Sequence, residues 1–137
     1  MSMINVIKSY TDKEQSKKLA KILPIESADM SYSIIHNIGQ EPYHCNVPTF
    51  TYVANGDIPC WSVAALLDLL PPYLYEFDRG IDLNIYRNLN GKGWHCSYMP
   101  NCIENMKKDK FKLITNGDNL VDACYEMIIK LKKMNLI

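Results

Sequence analysis

Two His-Cys dipeptides, His44-Cys45 and His95-Cys96, hold the residue types in this chain best suited to chemistry. Imidazole and thiolate are zinc ligands, so His44, Cys45 and His95 are the metal candidates, with Cys60 and Cys102 in reserve. Their spacing argues against a site. Structural zinc sites usually present two cysteines a few residues apart as a hook, and this chain has no such pair. Neighbouring residues of a strand point to opposite faces, so His95 and Cys96 cannot both reach one metal from an extended segment. The expectation is Cys96 in the core, His95 on the surface, and no metal or other cofactor.

Cys60 is the one candidate nucleophile. If a helix starts at Pro59, the helix dipole lowers a thiol pKa at that position and favours the thiolate. A cysteine hydrolase also needs a histidine base and an orienting polar group, roles open to His44, His95 and Asp57. The plain alternative is a small buried apolar residue between Pro59 and Trp61. No Gly-rich phosphate loop, nucleophile elbow, His-Glu-x-x-His pair or dinucleotide fingerprint accompanies it.

The aromatic inventory is unusual, with nine Tyr against three Phe, and half-buried sheet residues are a simpler account of it than a binding platform. Tyr and Trp join an apolar body to a polar handle, which suits partner surfaces. The binding candidates are His36, Tyr43, His44, Trp94 and His95, centred on the long irregular passage 36–48 and a hairpin. Lys107, Lys108, Lys110 and Lys112, with nearby aromatics, could hold single-stranded nucleic acid. Glu104 and Asp109 interrupt that run, so a solvated loop is the simpler account.

The elements that must position these residues follow from pattern. Thr11 and Glu14 have capping-box spacing, which predicts a helix from there to about Leu23, before Pro24. Residues 30–35 and 50–53 read as strands. Residues 58–72 read as a short buried helix, with Pro59 in its first turn and Val63, Leu66, Leu67 and Leu70 as its apolar face. Ile81, Leu83 and Ile85 alternate towards Asn90-Gly91-Lys92-Gly93, and Trp94, Cys96 and Tyr98 alternate back, a hairpin signature. Residues 111–114 could add a strand. Asn119 should cap a final helix whose stripe is Leu120, Cys124, Met127, Leu131 and Met134.

The 137 residues suit one domain, 1–137, and their 47% apolar and 22% charged content is that of a globular protein. Fifteen basic and fifteen acidic side chains cancel, leaving no net field to draw in nucleic acid or an anionic membrane. The longest apolar run, 63–67, is far short of the roughly 20 residues of a membrane span. Five scattered cysteines, an odd number, fit a reducing cytoplasm better than a disulfide scaffold.

Four pieces recur in order: Glu14-Gln15-Ser16-Lys17-Lys18-Leu19, Ala28-Asp29-Met30, Ile58-Pro59-Cys60-Trp61-Ser62 running into Leu66-Leu67, and Leu120-Val121-Asp122-Ala123 into Glu126-Met127. In these the chain resembles a family of small uncharacterised proteins carried by bacterial phages and integrated elements. The resemblance implies a genomic setting and a fold, and brings no reaction with it.

The expected architecture is α+β, a two-layer domain with an antiparallel sheet of three to five strands covered on one face by about three helices. Leu19, Ile22, Trp61, Leu66, Leu67, Leu70, Leu83, Ile85, Cys124, Met127 and Leu131 should form its core. The expected function is a non-enzymatic accessory protein of a phage or mobile element, acting through contacts with an unknown protein partner. The alternatives are a small cysteine- or metal-dependent hydrolase and a single-stranded nucleic-acid accessory protein.

Overall fold

The computed structural model describes residues 7–33, 41–44, 56–76, 79–100 and 113–137, and these form an α+β structure. The helices are α1 (Lys13–Ala20), α2 (Val63–Leu69) and α3 (Leu120–Lys133). The described strands divide between two antiparallel sheets. β1 (Met30–Tyr32), β2 (Tyr43–His44) and β3 (Ile58–Cys60) form the smaller, in the order β2-β1-β3. β4 (Tyr73–Glu76), β5 (Arg79–Arg87), β6 (Trp94–Pro100) and β7 (Leu113–Gly117) form a four-stranded meander.

The hairpin expected from alternation is β5–β6, with Leu83 opposite Tyr98, Ile85 opposite Cys96 and Arg87 opposite Trp94. Gly91 and Gly93 take φ values of 75° and 77°, which side chains with a Cβ rarely adopt. A Cβ on Gly93 would also stand 2.5 Å from the Gly117 carbonyl oxygen, so β7 can close on the turn only past a glycine. Directly opposed residues share a face. Ile81, Leu83, Ile85, Cys96, Tyr98, Leu113 and Thr115 therefore look one way, towards α3. The Thr115 hydroxyl donates to the Ala123 carbonyl at 2.8 Å and ties β7 to that helix.

α3 is capped by Asn119, whose Oδ1 accepts from the Asp122 N–H at 2.8 Å. Val121, Cys124, Met127, Ile128 and Leu131 are buried and join Leu19, Trp61, Leu66 and Leu70 in one core. Ile22, Leu83 and Ile85 pack against it, half-buried. Met134 departs from the expected stripe. It lies one residue past the helix, where the chain turns away, and is exposed.

Residues 58–60 are extended, not helical. Pro59, on β3, pairs with Ser31 of β1, and β3 is an edge strand among the described residues, where a missing N–H does no harm. The helix starts later because Ser62 is its N-cap, accepting from Ala65 N–H at 3.2 Å. With only seven residues, α2 turns Leu66 fully inward and leaves Leu67, the next residue, 37% exposed, and Leu70 is buried from the extended C-cap position just past the helix. α1 is also displaced: Asp12, not Thr11, is its N-cap, and Gln15, not Glu14, completes the capping box. The regular helix ends at Ala20, and turn bonds from the Ile22 and Leu23 N–H groups to the Leu19 carbonyl carry the chain on to the predicted stop at Leu23. The predicted strand at 50–53, the second half of 30–35, residues 111–112 and the lysines at 107–112 lie outside the described residues.

Candidate binding surfaces

Cys60 is fully buried at the end of β3, three residues before α2, so it does not sit in the first turn of that helix. Its thiol donates to the Thr11 carbonyl at 3.4 Å and lies 3.5 Å from the Thr11 hydroxyl. Around it the Thr11 and Ser16 hydroxyls are bonded at 2.7 Å, and the Tyr32 hydroxyl donates to the Thr11 carbonyl at 2.7 Å. Burial pushes the Cys60 thiol above its ordinary value, against the bonds from Thr11, Ser16 and Tyr32. A protonated thiol knitting α1 to β1 and β3 is a structural group. The helix-start argument for a Cys60 nucleophile is thereby removed.

Cys96 and Cys124 are also buried free thiols, on β6 and α3. The hydrogen bond that Cys124 donates to Cys96, together with burial, holds Cys124 protonated. Among the described residues, no three His, Cys, Asp or Glu side chains gather as a metal site, and no helix is long and apolar enough to cross a membrane.

The sequence-predicted binding residues do not form one patch. His36 and Cys45 lie outside the described residues. Tyr43 and His44 are on β2 of the smaller sheet, where the Tyr43 hydroxyl donates to Asp57 Oδ2 at 3.1 Å. Trp94 and His95 are on β6 of the larger sheet and, as neighbours in a strand, face opposite ways.

On the face away from α3 the register sets His95 opposite Tyr86, and their rings stack at 4.4 Å with planes 15° apart. Tyr86 is 48% exposed, and Tyr73, opposite Asp82 on the same face, is 43% exposed. Met99 and Ile114 add half-buried apolar area to this face, and Asn84 and Asn116 add exposed amides. At its centre Ser97 is 1% exposed, with a hydroxyl that has no hydrogen-bond partner among the described residues.

Trp94 faces the helix side, with the Arg87 guanidinium 5.9 Å from its ring centre. Both line a cleft of about 570 Å³ at the hairpin end, with Lys8, Val63 and Asn119 among its other walls. Lys8 is committed to structure there, bonded to Asp122 at 2.8 Å and Asp12 at 3.2 Å.

A second groove, about 580 Å³, runs between α1 and α3. Sequence reasoning missed it, because Lys18 and Lys21 read as the wet side of one helix and Lys132 and Lys133 as the end of another. Only the packing of α1 beside α3 makes them one rim.

No family model matches the chain, and neither the curated proteins nor the solved structures compared with it give a match.

Proposed function

We propose that the chain is a non-enzymatic binding protein that engages a protein partner through the sheet face away from α3. The Tyr86–His95 stack, with Tyr73 exposed further along the same face, is the observation that supports this reading. A stacked pair offers flat apolar area already held in place, so docking on it loses little side-chain entropy. Tyr and Met are enriched at interface cores, where charged residues other than Arg are depleted.

Single-stranded nucleic acid also stacks on aromatic rings, but its phosphates require cations along the path. The formal charge among the described side chains of this face is Asp82, a negative one. That balance favours protein. The free buried thiols fit a reducing cytoplasm. The ordered sequence pieces that resemble phage-carried proteins favour a mobile-element setting.

The test compares the chain with a Tyr86→Ala/His95→Ala variant as bait in the producing host, with bound protein quantified. Retention of one discrete partner should fall about tenfold, the scale of an interface hot spot. Equal retention by a folded variant would move the working surface elsewhere.

A further inference from the structure

The groove between α1 and α3 has a composition that the outer sheet face lacks. Ile22, Tyr125 and Ile129 contribute apolar walls, and Lys18, Lys21, Lys132 and Lys133 surround them. Four lysines against Glu126 make this a positive place among the described residues of a chain whose net charge is zero. We infer that this groove docks an acidic peptide segment of a protein partner, one carrying apolar residues between its carboxylates.

Lysines in a last helical turn also offset the helix dipole, which accounts for their presence one helix at a time. It does not account for what they surround. The side chains of Lys18, Lys21 and Lys133 make no hydrogen bond or ion pair among the described residues, and Lys132 reaches the Ile137 carbonyl oxygen only at 3.5 Å. Tyr125 is 6% exposed, yet its hydroxyl has no hydrogen-bond partner among the described residues. The ring is buried while the hydroxyl stays open to solvent, so it is free to donate to an acceptor seated in the groove.

The choice among anionic occupants follows from the walls. Ile22 and Ile129 supply branched apolar surface that suits Leu or Ile side chains and offers nothing to a sugar-phosphate path. Glu126 stands in the wall, where it would repel a continuous line of phosphates but accept from a peptide N–H. An amphipathic acidic segment satisfies apolar walls, lysines and Glu126 together.

The test selects binders from a displayed library of random twelve-residue peptides against the whole chain. The selected sequences are then measured on wild type and on Lys18→Glu/Lys133→Glu. Both lysines are exposed, so the variant should match wild type in circular dichroism and melting temperature. Peptides rich in Asp and Glu with interspersed Leu, Ile or Phe are expected, binding the variant about tenfold more weakly and losing affinity with added salt. A fifteen-residue oligothymidylate and phosphatidylglycerol vesicles serve as phosphate probes, and neither should show a loss on charge reversal. Selected peptides without acids, a selection with no groove-dependent binder, or charge-reversal loss confined to the phosphate probes would each overturn the assignment.

Discussion

Asp29 and Ser62 are joined twice. Asp29 Oδ1 accepts from the Ser62 N–H at 2.8 Å, and Asp29 Oδ2 accepts from the Ser62 hydroxyl. The same hydroxyl oxygen accepts from Ala65 N–H, so the residue before β1 holds the N-cap of α2 in place. A short helix of seven residues has little stability of its own and depends on such a cap. Asp29→Ala should cost about 2–3 kcal/mol, since it strands a nearly buried N–H, and Asp29→Asn about 1 kcal/mol. Urea unfolding measures both. A neutral Asp29→Ala would show that the double bond does not position α2.

Leu66 and Leu67 make a sharper test of the fold. They are adjacent leucines, one buried and the other 37% exposed. Leu66→Ala should cost about 2–5 kcal/mol and Leu67→Ala less than about 1 kcal/mol. Equal losses would mean that α2 is rotated about its axis.

Asp122 joins α3 to α1 and the N-terminal segment through bonds from Lys8 and Gln15, both at 2.8 Å. Burial alone would raise its carboxyl. The hydrogen bonds from Lys8, Gln15 and Asn119, with the Lys8 charge, outweigh burial and hold it below its ordinary 3.8. A depressed folded value stabilises fully above 3.8, and that contribution is lost as pH falls further through the folded value. Asp122→Asn should therefore cost about 1 kcal/mol at neutral pH and progressively less below about pH 4. Stability curves measured from neutral to acid pH check this. A constant offset between the two proteins across that range would contradict the linkage.

The hairpin and the final helix were legible in sequence because local signals set them. Alternation and a glycine turn fixed β5 and β6, and Asn119 with the Leu120–Leu131 stripe fixed α3. Local signals failed where a distant residue decided between equal options. Thr11 and Asp12 both suit a cap, and bonds to Trp61, Cys60 and Ser16 take Thr11 into the core, leaving Asp12 to cap. Pro59 suits a helix start or an edge strand, and pairing with Ser31 chooses the strand. The candidate surface was half legible. Alternation set His95 apart from Cys96, but its stacking on Tyr86 needs the cross-strand register.

Thiol reactivity tests the structural role of the cysteines. Cys60, Cys96 and Cys124 are buried, so iodoacetamide at pH 8 should leave all three largely unmodified in the native chain and label them in urea. Peptide mapping reads the sites. Native Cys60 reacting faster than unfolded Cys60 would revive it as a nucleophile.

The most direct measurement of the central claim places a photo-crosslinking phenylalanine analogue at position 86, with a second chain carrying it at position 89 on the hairpin turn as the control. Leu89 is wholly exposed, so both positions are accessible. Illumination in the producing host should join position 86, and not position 89, to one discrete protein, with Tyr73→Ala reducing the yield. Equal crosslinking at both positions, or crosslinking at 86 to nucleic acid instead of protein, would contradict the account.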